Sequence, residues 1–397
     1  QRSKLMRLLL VSFFYEHDHG GAEMVAREAA ALLRRCAEWE VEVLCLAGGP
    51  DRGEPGMHRI IPPRWCSQNA QTFKRTILFL PNRMLDRSLF RAAQSAGVRP
   101  ENYDAIFCPD MNALVLAHAL AEAADKPLFT WCQEVVPKRM DAAATRATLA
   151  PFINVWLHGR DGPLKKALAA SARVAGVSDF ITDRCCAFAG DGETDDKFTT
   201  LYQPVEDYFL QPPARPVAAD GPAKVLFYGR LSAEKGIDLL LAAWRKIQPN
   251  ATLSILGMDG PLRTEVERAT GDDIHLLHHV AHVDVPKLIS QHDIVVCPSR
   301  VEESLCRTAL EARLLERIIV ASQSGAIPEV VNGYPLAHST EIRTDDATAI
   351  ANLTKTLQAA LAQRRPLTDD ERETEKSFRE KFLPETFVHQ FRLMTKV

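Results

Sequence analysis

Two cations close an apolar run in FYGRLSAEKG, residues 227–236: Arg230 follows Gly229, and Lys235 precedes Gly236. Fixed positive charge at the end of a buried strand suits a leaving anion, because the developing charge meets groups already in place. Taken alone, the pair reads equally as two solvated surface cations. Three other stretches carry reactive or ligand-holding residue types. HGGAE, His19 to Glu23, sets Gly20 and Gly21 between an apolar run and a helical pattern. Paired glycines admit close backbone approach, and helix N–H groups favour an anion, although a tight turn without ligand explains GG as well. CPSRVEESLCRTALEA, Cys297 to Ala312, carries Glu302 and Glu303 on a loop and Glu311 on a helix expected to begin near Ser304. The eight residues from Glu303 to Glu311 advance a helix by roughly 80° beyond two turns, so both carboxylates are expected to reach one cleft from different depths. SGAIPEVV uses Gly325 and Pro328 to shape a further strand-to-helix turn.

The elements that must position these residues read as α/β. Short apolar runs (RLLLVSFF, VEVLCLA, AIFCP, PLFTW, RVAGVS) alternate with amphipathic stretches such as AEMVAREAAALLRRC and ALVLAHALAEAA. Runs without internal alternation point to parallel strands buried on both faces. From Gln203 to Pro222 the periodicity stops, and five prolines fall within twenty residues. The alternation then restarts with KVLFYG. This predicts an N-terminal domain over 1–205, a linker over 206–222, a C-terminal domain over 223–380, and a closing helix over 381–397 that packs back on the N-terminal domain. Ligands in such sheets sit beyond the carboxyl ends of the strands, so both domains are expected to face a shared cleft.

The length of 397 residues fits two domains. A 25% charged composition with a formal net charge of -3 excludes a generally basic nucleic-acid binder. The apolar runs fall short of a membrane span. Arg2, Lys4 and Arg7 before LLLVSFF resemble the start of a signal peptide, yet the charged EHDH that follows makes a first buried strand the preferred reading. Nine scattered cysteines with no C-x-x-C suggest neither a disulfide framework nor a zinc site, but reduced, buried thiols in a cytoplasmic protein.

In their order, GGAE, YGRLSAEKGID, PSRVEESLCRTALEA and ASQSGAIPEVV resemble the retaining, nucleotide-sugar-dependent glycosyltransferases of the GT-B fold, family 4 type. The resemblance covers nearly the whole chain and is most specific from Lys224 to Val331. It implies two Rossmann-like, doubly wound domains and a transfer of EC 2.4 type with retention of configuration. By the same resemblance Arg230 and Lys235 hold the donor diphosphate and stabilise it as it leaves. Glu303 contacts the transferred sugar, and Glu311 accepts hydrogen bonds from the ribose hydroxyls. Gly229 and the backbone N–H groups of Ser304, Leu305 and Cys306 border the donor, while Gly20 and Gly21 approach the diphosphate from the other domain. No cofactor is implied. Two fixed cations can stand in for a metal, and no Asp-x-Asp cluster suggests one.

Three positions depart from the family pattern. Leu305-Cys306 stands where Phe-Gly is usual, so backbone approach at Cys306 is less free; the cysteine reads as tolerated and not catalytic. Gln133, after PLFTWC, stands where many members carry a histidine. Glutamine can hydrogen-bond a sugar hydroxyl but holds no proton at neutral pH, which leaves an acceptor-side contact for Gln133. Gln203 replaces an asparagine before Pro-Val. His17 and His19 precede the GG turn, and His19 is a candidate for the acceptor side. His275, His278, His279 and His282 alternate in direction along a strand and read as solvated or core residues more readily than as metal ligands. From 64 to 99, Arg64, Lys74, Arg75, Arg83, Arg87, Arg91 and Arg99 face one acid, Asp86, with aromatic residues interleaved. That composition fits a solvated helix face. It also fits a patch that meets an anionic membrane carrying a lipid-linked acceptor, on its cytoplasmic face.

Three classes compete: a transferase using a glycan or lipid-linked acceptor, one using a soluble small acceptor, and a silent nucleotide-sugar-binding protein. A NAD-linked dehydrogenase is disfavoured, since no G-x-G-x-x-G follows the first strand of either domain.

Overall fold

The computed structural model describes residues 5–16, 21–47, 49, 53–61, 83–136, 161–190, 196–211, 213, 216–247, 250–258 and 260–396. They fall into two compact units. One comprises the described residues up to 136, 161–204 and 381–396; the other comprises those of 205–380.

The first unit is built on a seven-stranded sheet of order β3-β2-β1-β4-β5-β6-β7. Its strands are β1 (Met6–Val11), β2 (Trp39–Leu46), β3 (Met57–Ile60), β4 (Ala105–Cys108), β5 (Leu128–Cys132), β6 (Arg173–Gly176) and β7 (Phe198–Thr200). Every pairing is parallel. That explains the unbroken apolar runs, since strands such as β4 and β5 are buried along their whole length. Helices α1 (Gly21–Arg35), α2 (Arg83–Ser95), α3 (Leu114–Ala124) and α4 (Asp179–Ala189) accompany them. In α1 the buried stripe is Val25, Ala26, Ala29, Ala30 and Leu33, the spacing of one helix face, and Arg34 and Arg35 close its last turn where the dipole favours cations.

The second unit carries a six-stranded, wholly parallel sheet of order β10-β9-β8-β11-β12-β13. These strands are β8 (Ala223–Arg230), β9 (Ala251–Met258), β10 (Ile274–Leu277), β11 (Ile294–Cys297), β12 (Ile318–Ser322) and β13 (Ala337–Thr340). The helices are α5 (Ile237–Ile247), α6 (Arg263–Ala269), α7 (Val285–Ser290), α8 (Arg307–Leu314), α9 (Ile327–Val331), α10 (Asp346–Ala362) and α11 (Asp369–Glu380). Chain order runs from β8 outward to β10 and then returns to β11 on the opposite side. The switch point therefore lies between β8 and β11, where loops diverge and leave a crevice for ligand.

The stretch 206–222 is not bare chain. It holds a 3-10 turn at Asp207–Phe209 with Phe209 fully buried in the second unit. Helix α12 (Pro384–Thr395) belongs to the first unit. Its Phe387 and Phe391 set ring centroids 5.2 Å from Trp131 and 4.9 Å from Phe107. Arg392 pairs with Glu38 at 2.7 Å.

Among the described residues, no helix is long and apolar enough to cross a membrane. All eight described cysteines are free thiols. Of the basic stretch, 64–82 lies outside the described residues. Arg87, Arg91 and Arg99 are exposed, while Leu89 and Ala93 turn inward.

Candidate active site

Two loops at the switch point are locked together by backbone. Gly236, at φ 69°, lies so close to the loop after β11 that a Cβ there would meet Pro298 O at 1.9 Å. Arg300 N donates to Glu234 O at 2.8 Å, and Ser299 Oγ lies 3.3 Å from the same carbonyl. Only glycine allows both the left-handed turn and this approach. The loop after β8 is thereby held against the loop after β11, which sets Lys235 beside Glu303.

Lys235 Nζ donates to Glu303 Oε1 at 2.6 Å, and Ser299 Oγ donates to that same oxygen. Both bonds end on Oε1, so Oε2 keeps its acceptor capacity, and an ammonium with three donors keeps two for a ligand. Burial works against the charge on Lys235, but the Glu303 carboxylate together with Cys306 more than offsets it and holds the group above the ordinary lysine value. Glu303 is itself fixed from behind. It bridges Gly325, and a Cβ on Gly325 would meet Glu303 O at 2.3 Å. Ala326 N donates to that carbonyl at 2.8 Å. The glycine of SGAIPEVV thus supports the carboxylate as well as shaping a turn.

Arg230 ends β8 with its side chain 54% exposed, opposite Glu234 at 3.4 Å. A cation this exposed and this loosely paired can turn to a ligand at little cost. Gly229 before it has φ 151° and open space where a Cβ would stand.

The helix begins later than its sequence suggests. Rather than starting near Ser304, α8 runs from Arg307 to Leu314, and Cys306 before it holds φ 62° and ψ 74°, a left-handed conformation. That residue breaks the helical path, so Glu303 stands off the helix and Glu311 lies just over one turn into it. The two carboxylates therefore do not share a helix: Glu303 stands on the loop and Glu311 on α8. The N–H groups of Ser304, Leu305 and Cys306 belong to the turn ahead of the helix. Leu305 is buried. The Cys297 thiol is pushed up by its hydrogen bond with Cys306 and by burial, so it stays protonated.

Glu311 is 2% exposed, and both its oxygens are engaged. Tyr228 Oη donates to Oε2 at 2.6 Å and Arg307 Nε to Oε1 at 3.0 Å. Burial, followed by the Glu311 charge, raises the Tyr228 hydroxyl well above its ordinary value, so Tyr228 remains a donor. Arg307 also reaches Glu206 Oε2 at 2.5 Å. His282 Nδ1 lies 3.4 Å from Glu206 Oε1 and 2.7 Å from Tyr208 Oη. His282 is therefore built into a polar network, not simply solvated, whereas His275, His278 and His279 are exposed.

Tyr228, Ser299, Arg307 and Glu206 escaped the sequence reading. Three of them stand inside the stretches that drew attention, but no spacing ties them to their partners.

In the first unit, Gln133 follows β5 and is 7% exposed, with its Nε2 unpartnered. Gln203 Nε2 is likewise buried and unpartnered. Gly21 opens α1. His17, His19 and Gly20 lie outside the described residues. Among the described residues, no group of three or more His, Cys, Asp or Glu is placed to hold a metal ion.

Both units together have the GT-B fold. Over 98% of each chain, the structure matches sucrose-phosphate synthase from Thermosynechococcus elongatus with a TM-score of 0.71 at 17% identity. Anabaena HepE, solved with UDP and glucose, matches over 98% of each chain at 0.64 and 17%. These likenesses define the fold. The profile of the family Glycosyl transferases group 1 matches residues 222–359, the segment that holds this site. The lipopolysaccharide 1,2-N-acetylglucosaminetransferase of Salmonella typhimurium is 30% identical over 148 residues, covering 30% of this chain and 36% of that protein. The chain spans about a third of the length of the curated relatives it matches.

Proposed function

We propose that the protein transfers a sugar from a nucleoside-diphosphate sugar to a hydroxyl of a glycan or lipid-linked acceptor, with retention of configuration. The observation that carries this reading is the Lys235–Glu303 pair at the switch point, inside the segment matched by the family. Breaking the bond between the sugar's C1 and the diphosphate oxygen leaves negative charge on that oxygen. Lys235 and Arg230 meet it without reorganising, which is the largest single contribution in reactions of this type. Glu303 contacts the sugar through the oxygen that Lys235 and Ser299 leave open. Glu311, held by Tyr228 and Arg307, accepts from the ribose. The retaining outcome and the acceptor class rest on the family resemblance; Gln133 and His19 stand for the acceptor side.

The test is a thermal-shift comparison of UDP, GDP and ADP with their monophosphates, in buffer containing EDTA. Ligand that binds only the folded state at about a hundredfold excess over Kd stabilises by about 2.7 kcal/mol. One diphosphate is expected to raise the melting temperature clearly, and more than its monophosphate. No shift with any of the three overturns the donor assignment, and a shift that needs added magnesium or manganese overturns metal independence.

A further inference from the structure

We propose that Arg307 is a positioning residue: by tying Glu311 to Glu206 it aims the Glu311 carboxylate at a vicinal diol, the ribose of the donor nucleotide. This rests on the reading above that Glu311 receives the ribose. The lone-pair count carries the first part. Each carboxylate oxygen accepts about two hydrogen bonds. Arg307 Nε occupies one position on Oε1 and Tyr228 Oη one on Oε2. One acceptor position remains on each oxygen, side by side, which matches two adjacent hydroxyl donors. Charge carries the second part. Glu311, Arg307 and Glu206 form a carboxylate–guanidinium–carboxylate row with a net charge of about minus one when both acids are ionised. Buried charge of that sign seeks donors and repels phosphate, so the nucleoside end of a donor belongs here and the diphosphate belongs with Lys235.

The choice of residue supports an assigned task. Arg307 is the first residue of α8, where the helix dipole disfavours a cation. Arginine tolerates that position because its planar fork sends Nε to one carboxylate and Nη2 to another, which lysine cannot reproduce. His282 Nδ1 lies 3.4 Å from Glu206 Oε1 and is hydrogen-bonded to Tyr208. The row therefore runs from the nucleoside carboxylate to the first described residues of the second unit, which start at Val205.

The experiment is calorimetry with three probes: inorganic pyrophosphate, the diphosphate that gives the largest melting shift among UDP, GDP and ADP, and its 2′-deoxy analogue. Wild type is expected to prefer the ribonucleotide. Arg307→Met should lower nucleotide affinity about tenfold, bring the ribo-to-deoxy ratio close to one, and leave pyrophosphate affinity unchanged. Arg307→Lys should recover only part of the ratio. An equal loss for pyrophosphate means that Arg307 merely supports the fold, which overturns the proposal. Wild-type selectivity in Arg307→Met, with selectivity lost in Glu311→Gln, also overturns it while leaving the ribose assignment intact. Wild-type selectivity in Glu311→Gln removes the ribose assignment itself and the proposal with it. Should Arg307→Met not fold, Glu206→Gln keeps the arginine and reads the same ratio: a fall supports the proposal and an unchanged ratio overturns it.

Discussion

Lys235 donates to Glu303 across 2.6 Å, although 68 residues separate them in the chain. The contact joins the ends of β8 and β11, which are hydrogen-bonded neighbours in the sheet. It places the best-anchored cation of the site against a carboxylate that the loop backbone cannot easily move.

Replacing either cation should slow turnover. Lys235→Ala and Arg230→Ala are each expected to lower kcat on the order of a hundredfold, the effect of removing one preorganised electrostatic group. Steady-state kinetics with a saturating donor reads this directly. If both variants stay within a few-fold of wild type, the diphosphate is held elsewhere.

The pair also fixes a pH dependence. Lys235 has its charge held above the ordinary lysine value by Glu303 together with Cys306 against the opposing effect of burial. A raised folded value means the charged pair contributes fully below the unfolded value, about 10.4, and is lost only as pH rises through the folded one. Diphosphate binding by wild type should therefore show no loss from Lys235 deprotonation up to about pH 10. In Glu303→Gln burial is no longer opposed by the carboxylate, and an alkaline loss should move down into the measured range. Identical binding profiles for the two proteins would mean that Glu303 does not set this charge.

Cys306 holds a left-handed backbone at φ 62°, which costs a residue with a side chain roughly 1–2 kcal/mol. Cys306→Gly relieves that strain but adds freedom to the unfolded chain, worth about 0.4–1 kcal/mol. The net expectation is a melting temperature equal to wild type or a few degrees higher, with turnover retained. Cys306→Val, β-branched at the same angles, should melt lower. More than tenfold loss of kcat in the glycine variant would give the thiol a chemical role.

The exposed arginines Arg87, Arg91 and Arg99 of the first unit form the described part of the basic stretch. If the acceptor is lipid-borne, each engaged side chain adds about 1 kcal/mol of attraction to anionic lipid, screened within roughly 10 Å at 0.1 M salt. Liposome co-sedimentation at low salt should favour anionic over neutral vesicles, and Arg87→Glu with Arg91→Glu and Arg99→Glu should weaken that preference. Absence of any preference in wild type favours a soluble acceptor and leaves the donor site untouched.

The sequence by itself determined the layer order and which residue types stand at the strand ends. Unbroken apolar runs such as IVVC and LFTWC state that strands are buried on both faces, because each backbone satisfies its hydrogen bonds within a parallel sheet and needs no polar face. Gly229, Arg230, Lys235 and Gly236 are legible for the same local reason: residues beside a strand end must be at a turn. The proline-rich break after Gln203 marks where one alternation stops and another begins.

What the tertiary structure alone decided is how those turns meet. Nothing in the spacing of Arg307 and Glu206, 101 residues apart, or of Tyr228 and Glu311, 83 apart, announces a hydrogen bond. The start of α8 was misplaced because composition does not record that Cys306 takes a positive φ. The amphipathic pattern of α12 predicts an apolar face for Phe387 and Phe391, yet only packing against Trp131 and Phe107 selects the core that covers it. Periodicity encodes hydrogen bonds within an element, over a few residues. The site depends on contacts between elements, and their geometry is fixed by which strand ends the sheet sets side by side.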